Sequence, residues 1–176
     1  MELPLESSLI VPVPAADAVI EPWRAELDPF SAYGMEPHVT VIYPFLEPAT
    51  WPADLTTELA AMFAEMPTLE FELDAIRWFE PNVAWAAPHP AEPFGAMTAV
   101  MRRRWPELRP YGGTEAVEPH LTIGVSDDRI ALERAALAVG EMLPIACRGK
   151  EVLLMTGRRI AGAWTTIEHF PLGVAG

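Results

Sequence analysis

Apolar residues along this chain recur at two spacings, every second position and every third or fourth, which predicts strands alternating with helices. Residues 9–13 form a short β-type run that Pro12 and Pro14 confine to a sheet edge or to a strand end. Residues 17–27 read as a helix whose start Pro22 obscures, since proline is tolerated in a first turn and disruptive beyond it. A strand over 38–45 follows. Leu55, Leu59, Met62, Phe63 and Met66 then recur at helical spacing and predict an amphipathic helix over 54–66. Residues 69–79 alternate as Leu69, Phe71 and Leu73 before changing phase at Ile76 and Trp78, the mark of a bulge or a bend. Pro81-Asn82 turns the chain into a strand over 83–87, completing a hairpin. Pro93 opens a helix over 94–105 that turns Phe94, Met97 and Met101 inward. Tyr111-Gly112-Gly113 begins a connection running to Pro119, read equally as a plain link or as a gate. Beyond it come a strand over 120–125, a helix over 128–142, and strands over 151–156 and 163–170.

The two halves of this pattern resemble each other, and one phrase makes the resemblance specific. Glu36-Pro37-His38-Val39-Thr40-Val41 returns 82 residues later as Glu118-Pro119-His120-Leu121-Thr122-Ile123. Alternation along a strand puts His38 and Thr40 on one face, and His120 and Thr122 likewise on one face of theirs. The expected architecture is α+β, a single domain over residues 1–176 in which two small antiparallel-rich sheets face each other with helices outside. Both motifs then meet in the cleft between the sheets.

Composition narrows the classes of function. With 176 residues, half of them hydrophobic, and with six Trp and seven Phe, the chain fills a sizeable core. No apolar run reaches the roughly 18–20 residues that cross a bilayer, so no membrane association is expected. Glu2, Glu6 and the early prolines do not make a secretory signal, and the expected location is the cytoplasm. The single cysteine, Cys147, forms no intramolecular disulfide and reads as a buried thiol. A net charge of −13 argues against a long duplex, whose binders neutralise many phosphates. Its 12 cations gather at Arg102-Arg103-Arg104 with Arg109, and at Arg148-Lys150 with Arg158-Arg159, so any basic surface is local. A small cyclic nucleotide or a short RNA end fits this charge as partner, bound by a monomer.

Two histidines and two threonines in one cleft suit phosphodiester chemistry. An imidazole with an ordinary pKa near 6.5 serves as base when neutral and as acid when protonated. Two of them on opposite sides of phosphorus divide those tasks, and threonine hydroxyls donate to the non-bridging oxygens. This arrangement demands no metal or other cofactor, and the sequence lacks the His, Asp and Glu cluster of a two-metal phosphodiesterase. One His-x-Thr carries little information; two, each after Glu-Pro and each opening an apolar run, point to a shared site.

The pair His38-Val39-Thr40 and His120-Leu121-Thr122 resembles the twin His-x-Thr signature of the 2H phosphoesterase superfamily, which includes the bacterial 2′–5′ RNA ligase (LigT-like) proteins. The wider phrases His38-Val39-Thr40-Val41-Ile42-Tyr43-Pro44-Phe45 and Pro119-His120-Leu121-Thr122-Ile123-Gly124 are similar to the extended motifs of that branch, as are Ala91-Glu92-Pro93-Phe94 and Tyr111-Gly112-Gly113. The resemblance implies a bilobal, pseudo-twofold fold. It also implies metal-independent hydrolysis or transfer at 2′,3′-cyclic or related 2′-linked phosphodiesters, with His38 and His120 as the acid–base pair and Thr40 and Thr122 holding phosphate. The alternatives are a non-catalytic nucleotide- or RNA-end-binding module, and a 2′–5′ RNA ligase, which needs a basic groove for two RNA ends.

Other residues carry divided readings. Tyr43 faces away from His38 by strict alternation, which favours a core or supporting role, yet it remains an auxiliary candidate. Arg158 and Arg159, in a turn between late strands, are either auxiliary phosphate contacts or exposed turn residues. Glu36 and Glu118 are either solvated loop acids or orienters of the histidines. Trp78, Phe79, Trp85 and Trp164 are core residues or stacking surfaces for a base. His89 and His169 read as loop and structural residues.

Overall fold

The computed structural model describes residues 2–113 and 118–173. Residues 114–117, part of the connection read as a link or a gate, lie outside the described residues, so that reading goes no further. Among the described residues no helix is long and apolar enough to cross a membrane.

Among the described residues, eight strands form two four-stranded antiparallel sheets. In chain order they are β1 Glu6–Pro12, β2 His38–Ile42, β3 Leu69–Phe79, β4 Val83–His89, β5 Leu121–Val125, β6 Ile145–Gly149, β7 Glu151–Gly157 and β8 Thr165–Pro171. The α-helices of the described residues are α1 Asp17–Leu27, α2 Pro29–Tyr33, α3 Leu55–Ala64, α4 Glu92–Arg104 and α5 Arg129–Gly140. One sheet has the order β2-β1-β7-β8 and the other β5-β4-β3-β6. The two motif strands are therefore equivalent edges, each paired inward to the strand that precedes it in the chain. Later strands are exchanged: the first half contributes β3 to the second sheet, and the second half contributes β7 and β8 to the first.

The helices cross over in the same way. Helix α1 packs on β5, where a Cβ on Gly124 would lie 2.8 Å from the Leu27 Cβ and 2.9 Å from a Leu132 methyl, so only glycine admits that approach. Helix α4 packs on β2, and the Thr98 hydroxyl donates to the Val41 carbonyl at 2.6 Å. Each motif strand is thus backed by a helix of the other half.

Residues 9–13 read as one unbroken apolar run because the first sheet is covered on both faces. Leu9 and Val11 enter the main core with Val152 and Leu154, while Ile10 joins Leu153, Met155, Met35 and Trp164 in a second, smaller core. Strand β1 lies inside its sheet, and Pro12 stands at its end opposite His38, where a missing N–H breaks no interior ladder. Pro22 sits in the interior of α1 and the helix continues through it. The phase change expected after Leu73 is a register shift between Leu73 and Ala75 against β4. Phe94, Met97 and Met101 of α4 are buried, with Phe94 edge-on to Phe71 at 5.0 Å between ring centres. Strand β6 and helix α2 have no counterpart in the sequence reading.

Candidate active site

His38 opens β2 and His120 stands one residue before β5; the alternation that buries Val39, Leu121 and Ile123 leaves each histidine and its threonine half-exposed. All four side chains line one cleft of about 520 Å³ between the facing sheet edges, a volume ordinary for a small-molecule site. The repeated Glu-Pro has a backbone role. A residue before proline is held extended, and in both copies the glutamate carbonyl accepts a bond from its histidine's Nδ1, at 2.6 Å for Glu36 to His38 and 2.7 Å for Glu118 to His120. A carbonyl only accepts, so each Nδ1 carries a proton and each neutral ring keeps its lone pair on Nε2. The carbonyls, rather than the acid groups, orient the rings. The Glu118 carboxylate instead pairs with Arg77 at 3.1 Å on the surface.

Around these matching pairs the two walls differ. Below His38 lies Arg24, 1% exposed, which donates to Asp28 at 3.1 Å, to Glu21 at 2.7 Å and to the Met35 carbonyl at 3.0 Å. Burial, aided by the Arg24 charge and by His120, pushes the His38 pKa down to about 3 against the opposing Glu36 carbonyl. Asp28 is pushed upward by its burial, opposed by Arg24 and by the Phe30 N–H that it caps. His120 sits among rings instead: Phe79 is edge-on at 4.9 Å and Trp85 lies at 5.8 Å. Burial lowers its pKa as well, but the Glu118 carbonyl and carboxylate pull the other way. The protonated ring is therefore disfavoured twice at His38, by burial and by a neighbouring cation, and partly restored at His120.

Tyr43 lies on the cleft wall, where strict alternation did not put it. The pairing of β1 with β2 shifts between Leu9 and Ile10, so Val41 and Ile42 are both buried and the phase reverses before Tyr43. Its hydroxyl donates to Glu6 at 2.8 Å and accepts from Arg159 at 2.8 Å. Arg159 lines the cleft and also donates to both Glu6 oxygens, at 3.1 and 3.2 Å. Arg158 points elsewhere, to the Leu3 carbonyl at 2.9 Å and Glu2 at 2.7 Å, and is not part of the cleft wall.

Of the four aromatic candidates, Phe79 lines the cleft; Trp85 and Trp164 are buried, and Trp78 carries the Arg129 guanidinium 4.1 Å from its ring centre. His89 ends β4 opposite Glu72, and His169 pairs with Glu151 at 3.0 Å. The Cys147 thiol is buried and its pKa pushed up to about 11, chiefly by that burial. No group of three or more His, Cys, Asp and Glu side chains suited to a metal ion occurs among the described residues.

Arg24 and Tyr111, both on the cleft wall, escaped the sequence reading as site residues. Arg24 was visible only as a helix residue spaced three from Glu21 and four from Asp28, a pattern that usually marks a solvated face. Tyr111 was assigned to a connection. Its backbone is left-handed, with φ of 49°, its N–H donates to the Tyr43 carbonyl at 3.1 Å, and its hydroxyl meets that of Thr40. Its ring centre lies 6.2 Å from that of His120, so one side chain reaches both halves of the cleft.

The fold is shared with proteins of distant sequence. Escherichia coli LigT complexed with 3′-AMP superposes with a TM-score of 0.59 at 18% identity, over 96% of this chain and 98% of that one. The same protein complexed with NADP+ gives 0.58 at 18% identity, over 98% and 99%. TT0787 of Thermus thermophilus gives 0.61 at 18% identity, over 97% and 100%. No curated protein matches in sequence. The sequence pattern of the 2′-5′ RNA ligase superfamily, however, matches residues 11–160, a stretch that holds both His-x-Thr motifs. That span is most of the chain, and with it this protein belongs to the 2′-5′ RNA ligase superfamily.

Proposed function

We propose that the protein is a phosphodiesterase that hydrolyses 2′,3′-cyclic or related 2′-linked phosphodiesters of nucleotides or RNA ends by paired histidine acid–base catalysis, without a cofactor. The observation that carries this reading is the identical backbone clamp on His38 and His120, which leaves both Nε2 atoms available beside Thr40 and Thr122 in one cleft. The differing walls support a division of roles. His38, held neutral by burial and Arg24, takes a proton from water; His120, whose burial also lowers its pKa but is opposed by the Glu118 carbonyl and carboxylate, reacts in its protonated form.

The water oxygen bonds to phosphorus, and the phosphorus bond to the 2′ or the 3′ oxygen breaks. His120 gives its Nε2 proton to the departing oxygen, and His38 retains the one from water. Thr40 and Thr122 donate to the non-bridging oxygens as charge develops there. The nucleotide monophosphate leaves, and a proton passing from His38 to solvent and back to His120 restores the start. A LigT complex with 3′-AMP is in keeping with such a product. Ligation of two RNA ends needs a basic groove, whereas Arg24 and Arg159 are each already matched by carboxylates.

The test is hydrolysis of the four 2′,3′-cyclic mononucleotides with EDTA present, by the parent and by His38→Ala and His120→Ala. Turnover that collapses in both variants is the expected result. Turnover that survives in either variant, or its complete absence in the parent, overturns the proposal.

A further inference from the structure

The charges on the cleft wall bear on which phosphodiester enters. Two guanidinium groups line the cleft among the described residues, and both are committed. Arg24 lies between Asp28 at 3.1 Å and Glu21 at 2.7 Å, so the floor beneath His38 holds one cation against two carboxylates. Arg159 has its Nε and one terminal nitrogen on Glu6, while the Tyr43 hydroxyl closes a three-way ring by donating to the same carboxylate. The undescribed stretch 114–117 reads Thr-Glu-Ala-Val and holds no basic residue. Beyond the two imidazoles, the cleft has no uncommitted cation among the described residues, and it sits in a protein of net charge −13.

We infer that the cleft selects a singly charged cyclic phosphodiester with an unphosphorylated 5′ end, and that Glu6, by holding Arg159 and Tyr43, is the residue that disfavours substrates bearing a second phosphate. The inference rests on the phosphodiesterase reading above. A cyclic phosphodiester carries one negative charge, which two threonine hydroxyls and one imidazolium accommodate. A 5′-phosphate adds nearly two more charges, and these must either compete with Glu6 for Arg159 or lie beside carboxylates. Charge mismatch of this kind lowers the affinity for the wrong ligand without strengthening contacts to the right one.

The experiment compares kcat/KM for adenosine 2′,3′-cyclic phosphate with that for its 5′-phosphorylated form, at one ionic strength and with EDTA. The 5′-hydroxyl substrate is expected to lead by at least about tenfold, and the gap to narrow as salt screens the exposed charges. Glu6→Gln releases Arg159 and narrows the gap, chiefly through KM for the 5′-phosphorylated substrate. Arg159→Gln leaves Glu6 unopposed and widens it. A purely structural ion pair would change both substrates alike in both variants, and that result overturns the inference, as does equal or better use of the 5′-phosphorylated substrate by the parent. Hydrolysis of neither substrate strikes the phosphodiesterase reading instead. The charge argument then stands or falls on calorimetry, with 3′-AMP expected to bind more tightly than adenosine 3′,5′-bisphosphate.

Discussion

The His38 wall and the His120 wall carry the same motif, the same carbonyl clamp and the same half-exposed threonine, yet their surroundings have little in common. One is floored by a buried arginine with its carboxylates, and the other is packed with Phe79 and Trp85. The shared parts fix where two Nε2 atoms point. The differing parts set how strongly each ring resists a proton: burial lowers both, the Arg24 charge adds to this at His38, and the Glu118 carboxylate opposes it at His120. Duplication supplies geometry, and on the proposed mechanism divergence of the neighbours supplies direction to the proton transfer.

Removing either ring tests whether the walls divide one task. His38→Ala and His120→Ala are each expected to lower kcat by about 10²–10⁴-fold, with the double variant scarcely worse than the single ones. Multiplied losses, read from single-turnover rates, would mean that the two walls act independently.

The hydroxyls sharpen the comparison. Thr40→Val and Thr122→Val should each cost about 10²-fold in kcat if both donate only as charge develops. Thr40 meets Tyr111, and Tyr111→Phe should reproduce part of the Thr40 loss. Steady-state kinetics on one cyclic nucleotide decide it.

Electrostatic changes come next, and their signs are opposite on the two walls. In the parent, kcat/KM should rise as His38 loses its proton, near its folded pKa of about 3, and fall as His120 loses its own, below the ordinary value of 6.5. Arg24→Gln removes a charge that disfavours protonated His38, so the acid limb should move to higher pH. The same change strands buried Asp28 and should cost about 3–5 kcal/mol by urea unfolding. An unmoved acid limb would detach Arg24 from the base.

The smallest effect belongs to Glu118→Gln. It removes a carboxylate that favours protonated His120, so the alkaline limb should move to lower pH by a fraction of a unit, with stability unchanged because the pair with Arg77 is exposed. A shift in the acid limb instead would reverse the assignment of base and acid.

The sequence carried the motif faces, the bulge after Leu73 and all four long helices, because each rests on local periodicity that tertiary packing did not override. Strand β6 was hidden because two of its three inward residues, Cys147 and Gly149, are small; Gly149 fits close under Val11 and Leu69. Helix α2 is one turn long. Its signals are an Asp28 cap at 3.0 Å on Phe30, Pro29 in the first turn and Gly34 at φ of 108°, all confined to a segment too short for a hydrophobic period. Tyr43 was displaced by a one-residue bulge that a regular strand pattern does not reveal. Arg24 shows the deeper limit: spacing along a helix places a charge relative to its own turn, and only the tertiary fold says whether that face meets water or the floor of a cleft.

The exchange of β3 and β7 between sheets bears on how the molecule comes apart. A chain divided near its midpoint would leave each fragment with an incomplete sheet and a helix whose packing partner is on the other fragment. Neither lobe is a folding unit, so heat or denaturant should melt the protein in a single step. The register between the two imidazoles is then protected by the stability of the whole protein rather than by that of a hinge.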